Sequence, residues 1–260
     1  MSIILPSFAG IAKPSGGGGA AYSNTLSGLF DGNDTVEMSN INLTGAKAVS
    51  LWVKIGGNMI SGGGNGAVLI GGTDDYYVNM AYSQYLYIRG TNNSGAANSI
   101  QYIALGANFY QENAWHHICI SSDGTTLTYY VDGVAKGTDP NVDPVNVNAI
   151  GGRSVSYHQS NLDEIALFDS ALSQAQVTNI YRGEEDGGTG GTDGTPGDLS
   201  TFSPLHWWRF GDGTGDLDAS GNAPANTYKI ATLVDQGSGN KNATQTNATN
   251  QPTFSNVLPS

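Results

Sequence analysis

The sequence predicts an all-β sandwich carrying one packed helix, and three observations carry that expectation. Gly and Asn number 37 and 24 among 260 residues, and both are costly in helices and suited to turns. Seven runs rich in β-branched and aromatic residues sit between Gly, Asn, Asp or Ser boundaries, which is the mark of short antiparallel strands. Hydrophobic residues make up 38%, with 13 Tyr, 7 Phe and 4 Trp, against only 12% charged. That supply fills a core and argues against a disordered chain.

The elements follow in order. Residues 1–21 read as an arm ending in a Gly-rich hinge. Strands are expected at 50–55 (SLWVKI), 68–72, 75–80, 85–90, 99–105, 114–121 (AWHHICIS) and 126–131 (TLTYYV). In AWHHICIS, alternation puts His116, Ile118 and Ile120 on one face and Trp115, His117 and Cys119 on the other. Both faces are largely apolar, so this strand is expected to be central. Asp132-Gly133 is a two-residue hairpin signal of the I′ type. A helix is expected after Ser173, with Gln176 completing a capping box. Val177, Ile180 and Tyr181 form its apolar stripe, and Gly183 stops it. Residues 184–198 hold five acids, no base and many glycines, which reads as a coil linker. Residues 199–260 form a small C-terminal segment of β or irregular structure, near the lower size limit for an independent core.

The net charge is −12. Such a surface repels phosphate, so neither nucleic acid nor an acidic membrane is an expected partner. The single cysteine, Cys119, excludes an intrachain disulfide framework and reads as a small buried hydrophobe. No apolar run approaches a bilayer span. The start, MSIILPSFAGIAKPSGGGG, has no basic residue before its apolar stretch and is broken by Pro6, unlike a signal peptide.

Five segments in order then carry a resemblance. They are YSNTLSGLFDGNDTVEM (22–38), SLWVKI, AWHHICISSDGTTLTYYVDGVAKG (114–137), IGGRS (150–154) and NLDEIALFDSALSQAQVTNIYRG (161–183). Over residues 22–183 the chain resembles the laminin G-like domain of the concanavalin A-like lectin/glucanase superfamily. The resemblance implies a jelly-roll sandwich of two antiparallel sheets with about six or seven strands. It also implies a structural Ca²⁺ held by Asp31, Asp34 and Asp163, since hard oxygen ligands suit that ion. The plainer reading of Asp31 and Asp34 is a turn capped around Gly32 and Asn33.

Other chemistry is thin. The glucanase members carry E-x-D-x-x-E or E-x-D-x-E on one strand, and neither string occurs here. Asp163 and Glu164 are adjacent, so on a regular strand they would point oppositely. His116 and His117 lie on opposite faces with no third ligand at zinc spacing, and a packing role is expected. The Gly-rich loop 56–67 lacks a P-loop ending. The Asp212, Asp216 and Asp218 run matches no calcium-loop spacing and reads as a plain loop. Tyr76, Tyr77, Tyr82, Tyr85 and Tyr157 are candidates for stacking on a sugar. No catalytic residue is assigned.

The C-terminal segment is similar, through PLHWWRFGDG (204–213) and residues 234–256, to modules in structural proteins of tailed phages. The resulting expectation is a non-enzymatic virion structural protein, assembled in the host cytoplasm, that decorates the capsid surface. Its partners would be capsid or other virion proteins on an oligomer or lattice. The alternative is a carbohydrate-binding or receptor-binding module of a tail fibre or cell-surface adhesin, with surface glycans as partners.

Overall fold

The computed structural model describes residues 22–55, 67–71, 76–81, 85–91, 97–104, 113–140, 145–151 and 159–259. The arm 1–21, most of the loop 56–67, Tyr82 and Tyr157 lie outside them. The first strands are β1 (Ser27–Asp31), β2 (Thr35–Leu43) and β3 (Lys47–Ile55). Then come β4 (Ala67–Gly71), β5 (Tyr76–Ala81), β6 (Tyr85–Thr91) and β7 (Ala97–Ala104). They are followed by β8 (Trp115–Ser122), β9 (Leu127–Val131), β10 (Val134–Asp139), β11 (Val145–Gly151) and β12 (Gln159–Phe168). The helix α1 spans Gln174–Tyr181. Five short strands close the chain: β13 (His206–Trp208), β14 (Leu217–Asp218), β15 (Ile230–Leu233), β16 (Ala243–Thr244) and β17 (Thr253–Ser255).

They form two antiparallel sheets. One runs β10-β9-β8-β3-β12-β1-β17, with β13 also paired to β12. The other runs β14-β15-β16-β2-β11-β4-β5-β6-β7. The expected two-sheet sandwich with one helix is therefore present, and β8 is central. Asp132 and Gly133 take φ of +52° and +72°, the I′ geometry that matches strand twist. Ser173 accepts from the Gln176 amide while the Gln176 side chain caps back, so the capping box is complete.

Alternation sorts the strands into two cores. Val49, Leu51 and Val53 of β3, with Ile118 and Ile120 of β8, face the second sheet and join its Val36, Ile41, Val145, Val147 and Ile150. Ala48, Cys119 and Ala166 face outward, where Val177 and Ile180 of the helix, Leu199, Phe202 and Trp207 cover them. The outer face of the first sheet is thus sealed by α1 and the chain that follows it. Tyr181 stacks over Trp52 at 5.9 Å. Gly133 is obligatory beneath it, because a Cβ there would sit 2.9 Å from the Tyr181 ring.

One segment differs from expectation. Residues 184–198 are not an open coil but a loop folded against the end of α1. Glu184 is buried and pairs with Arg182 at 3.3 Å, and its Oε1 accepts from Gly191 N. Asp186 Oδ2 accepts from the Gln176 amide. Acids that look solvent-bound in sequence thus serve as acceptors for the glycine-rich backbone. Residues 199–260, in turn, complete both sheets. Trp208, Phe210, Ile230, Leu233 and Phe254 are buried within the main core. β17 pairs with β1, and on its other side Phe254 and residues 227–230 exchange hydrogen bonds. Residues 227–230 lead directly into β15 of the second sheet. One side of the sandwich is therefore stitched shut by the C-terminal segment.

Candidate functional site

Among the described residues, the outer face of the second sheet carries exposed side chains on β2, β14 and β16. Its strands alternate apolar inward and polar outward. In β2, Val36, Ile41 and Leu43 are buried while Glu37, Asn40 and Asn42 are exposed. In β11, Val145 and Val147 are buried and Asn146 is half-buried. Register then aligns residues across strands. Leu217, Thr232, Thr244, Glu37, Ala149, Gly71 and Tyr76 stand abreast across β14, β15, β16, β2, β11, β4 and β5. Asn42 and Asn146 form a separate pair on β2 and β11, five residues along β2 from Glu37. The middle of the long row, Ala149 and Gly71, has little side-chain bulk and is buried. It is bordered by hydroxyls and one carboxylate on one side and by the Tyr76 position on the other. Amides and hydroxyls in rows on a rigid sheet can bind a neutral, hydroxyl-rich ligand by hydrogen bonding.

Of the carboxylates expected to hold Ca²⁺, Asp163 is kept apart from Asp31 and Asp34. Asp31 pairs with Gln159 in register, so Asp163 lies four residues away, roughly 13 Å along the sheet. Asp34 Oδ2 accepts from Asp31 N at 2.8 Å, which is the turn-capping geometry. Burial pushes the Asp34 carboxyl up to about 7. Asp163 Oδ2 accepts from Asn24 Nδ2 at 3.0 Å and Oδ1 from Glu164 N at 2.8 Å. These three residues do not fit one cation, and among the described residues no group of three or more His, Cys, Asp or Glu is arranged to hold one.

Asp163 and Glu164 do not point oppositely either. The register with β3 shifts between Asp163 and Ala166, and Glu164 takes φ of +46°. This bulge inserts one residue and turns both carboxylates to the outer side, between the Ile165 and Leu162 side chains that face the core. Both are essentially inaccessible. Glu164 accepts from Tyr22 Oη at 3.0 Å, Trp207 Nε1 and Arg209 Nε at 3.2 Å. The Arg209 guanidinium lies between the Tyr22 and Trp207 rings, 4.7 and 5.0 Å from their centroids. Burial raises the Glu164 carboxyl to about 7 in spite of Arg209. Burial and then the Glu164 charge raise Asp163 further from its ordinary range.

The histidines keep to packing. His117 Nε2 lies 2.8 Å from Ser50 Oγ, yet both residues are wholly buried. Asp132, which would have to orient the ring, contacts His116 Nδ1 and the His117 backbone N instead. Burial lowers His117 to about 4, so it is neutral. Cys119 is buried, and burial pushes its thiol up. The C-terminal aspartates are backbone caps. Asp216 accepts from Gly211, Gly213 and Val234, Asp218 from Ser220 and Asn222, and Asp212 from Thr25 and Leu26.

Residues 30–178 match the laminin G-type family model described as the concanavalin A-like lectin/glucanases superfamily. The chain belongs to that superfamily. The chain is also similar to solved members of lectin-like fold. One is a Bacteroides ovatus protein named as a candidate carbohydrate-binding protein, at 12% identity and a TM-score of 0.54, covering 92% of this chain and 62% of that one. Another is the heptameric SAP-like pentraxin of Limulus polyphemus, at 15% identity and a TM-score of 0.43, covering 60% and 82%. A third is the LG1-3 region of the laminin alpha2 chain, at 15% identity and a TM-score of 0.42, covering 61% and 29%. At these identities the likeness is one of fold. No curated protein matches the chain.

The sequence reading did not single out the open-face residues Glu37, Asn42, Asn146, Thr232 and Thr244. A signal existed in VNVN (145–148), whose strict alternation marks a half-buried strand with amides outward. Thr232 and Thr244 carried none, because their strands are only four and two residues long. Of the tyrosine candidates, Tyr76 falls in the long row, while Tyr77 and Tyr85 lie on β5 and β6.

Proposed function

We propose that this superfamily member is a non-catalytic carbohydrate-binding module that uses the outer face of its nine-stranded sheet. The observation that carries the reading is the polar part of that face among the described residues, exposed Asn42 and Thr244 with half-buried Asn146 and Thr232. Hydroxyls and amides there, with the Glu37 carboxylate beside them, can hydrogen-bond sugar hydroxyls. The Bacteroides ovatus neighbour, named for candidate carbohydrate binding and sharing the fold over most of this chain, supports the same reading. Hydrolysis would need two carboxylates flanking a glycosidic bond in reach of water. Asp163 and Glu164 are sealed beneath Trp207 and Tyr22, and the residues opposite Glu37 on β11 and β16 are Ala149 and Thr244. A glycan array followed by calorimetry with the best oligosaccharide tests the reading. The double variant Asn42→Ala, Asn146→Ala should weaken binding about tenfold, the worth of one or two hydrogen bonds. Absence of any oligosaccharide binding, or an unchanged affinity in the double variant, overturns it.

The virion setting is the second reading, and the likeness of residues 204–213 and 234–256 to tailed-phage modules favours it. In that setting the module decorates the capsid and presents its open sheet to glycans. Mass spectrometry of purified virions checks it. A copy number near that of the major capsid protein is expected, and absence from virions excludes it.

A further inference from the structure

The His117 ring lies beneath the end of α1 in a setting that suits only its neutral form. Trp52 flanks it on β3, with ring centroids 5.2 Å apart. Tyr181, the last residue of α1, stacks over the two rings at 6.3 and 5.9 Å. His117 is wholly buried. Its Nε2 meets Ser50 Oγ at 2.8 Å, and its Nδ1 has no hydrogen-bond partner among the described residues. A neutral imidazole can leave Nδ1 as a bare acceptor. An imidazolium would place a second N–H there with nothing to receive it, and an unpaired buried charge is costly.

Among the described residues, no facing group supplies a counter-charge to the ring. Asp132, in the β9–β10 turn, acts on it from a distance, while its oxygens are taken by His116 Nδ1 and the His117 backbone N–H. On the same outer face, Cys119 of β8 and Tyr130 of β9 are held neutral by burial, as is the Tyr181 hydroxyl. On β12, beyond Trp52, Asp163 accepts from Asn24 Nδ2 and the Glu164 N–H. Arg182, next to Tyr181, pairs with Glu184 and Asp193. The cover over His117 is light. α1 has eight residues, of which Val177 and Ile180 are buried, and Tyr181 is only half-buried. A helix that short does not hold its shape alone, so its place depends on what lies under it.

We propose that α1 is an acid-sensitive cover, whose Tyr181 end lifts when His117 takes a proton and opens the outer aromatic face of the first sheet. Burial holds the ring down to about 4 while the helix is seated, against about 6.5 once water reaches it. The seated form is therefore fully favoured above about pH 6.5 and loses that advantage as pH falls toward 4. Those two values predict that the open fraction rises about twentyfold between pH 7 and pH 5. The carboxyls of the β12 bulge are raised by burial and act in the opposite sense, so the loss is local to the helix.

The test is hydrogen exchange of the full chain, read by mass spectrometry at pH 7 and pH 5 and corrected for the intrinsic pH dependence of exchange. Peptides covering α1 should exchange about twentyfold faster at pH 5, while β3, β8 and β12 keep their protection. His117→Gln, which cannot take a proton and leaves His116 and Asp132 in place, should abolish the difference. His117→Phe asks the same question with an apolar ring, should the amide not be accommodated. The proposal is overturned if α1 exchanges alike at the two pH values in the unaltered chain, or if the acceleration persists in a folded variant. It is equally overturned if the strands lose protection together with α1, since that is global unfolding and not a cover lifting.

Discussion

A chain ending at Asp198 is expected to show no cooperative unfolding transition. The deletion removes Trp208, Phe210, Ile230, Leu233 and Phe254, each fully buried in the core between the sheets. Burial of such side chains contributes about 1.5–3 kcal/mol apiece, so the five together contribute on the order of 10 kcal/mol. A whole domain has only about 5–15 kcal/mol of net stability. The deletion also strips β1 of its partner β17, β2 of β16, and the second half of β12 of β13. Buried backbone groups would be left unpaired along three strands. Differential scanning calorimetry and near-UV circular dichroism of residues 22–198 check this. A sharp transition within a few degrees of the full chain would show that the C-terminal segment is an accessory, and would sink the claim that it is part of the core.

The second large effect is a gain. Asp163→Asn is expected to stabilise the protein by about 1–3 kcal/mol at pH 8 and to change little at pH 5, the scale of one buried, poorly compensated charge. Asp163 and Glu164 share the bulge with one cation, Arg209. Burial raises both carboxyls, Glu164 from 4.5 to about 7. Between those limits the folded state holds a proton that the unfolded chain has released. Stability is then fully present at low pH and falls as pH rises through that window. An amide at position 163 removes one of the two charges. It also brings a donor beside Asn24 Oδ1, a buried oxygen without a partner. Chemical denaturation at several pH values gives the answer. Equal destabilisation of the variant at pH 5 and pH 8 would mean that the carboxylate at 163 is needed in its charged form.

Much of this arrangement was legible in the residues. The period-two runs, the Asp132-Gly133 turn and the Ser173–Gln176 box are local signals, and each fixes its own backbone without help from distant contacts. The face assignment in AWHHICIS follows from alternation alone. What stayed hidden depends on long-range contacts. Asp163-Glu164 reads as two alternating strand residues, and only pairing with Trp52 and Ser50 of β3 exposes the bulge between them. Residues 184–198 look like a tether because their acceptors are seen only once α1 brings Arg182 and Gln176 alongside. β14 and β16 are two residues long, below the length at which alternation can be read. They are strands because β2 and β15 supply the neighbouring edges. The open-face row was invisible for the same reason: it takes seven strands from distant parts of the chain to assemble it.

The stitched side of the sandwich has a consequence for how the protein is made. Ser27 Oγ donates to Val257 O, 230 positions downstream. During synthesis, β1 has to wait for a neighbour that lies 230 positions further along the chain. Closing loops of that length before any reward is received makes folding slow. Until that distant stretch has emerged, the nascent chain displays an unfinished sheet edge at β1.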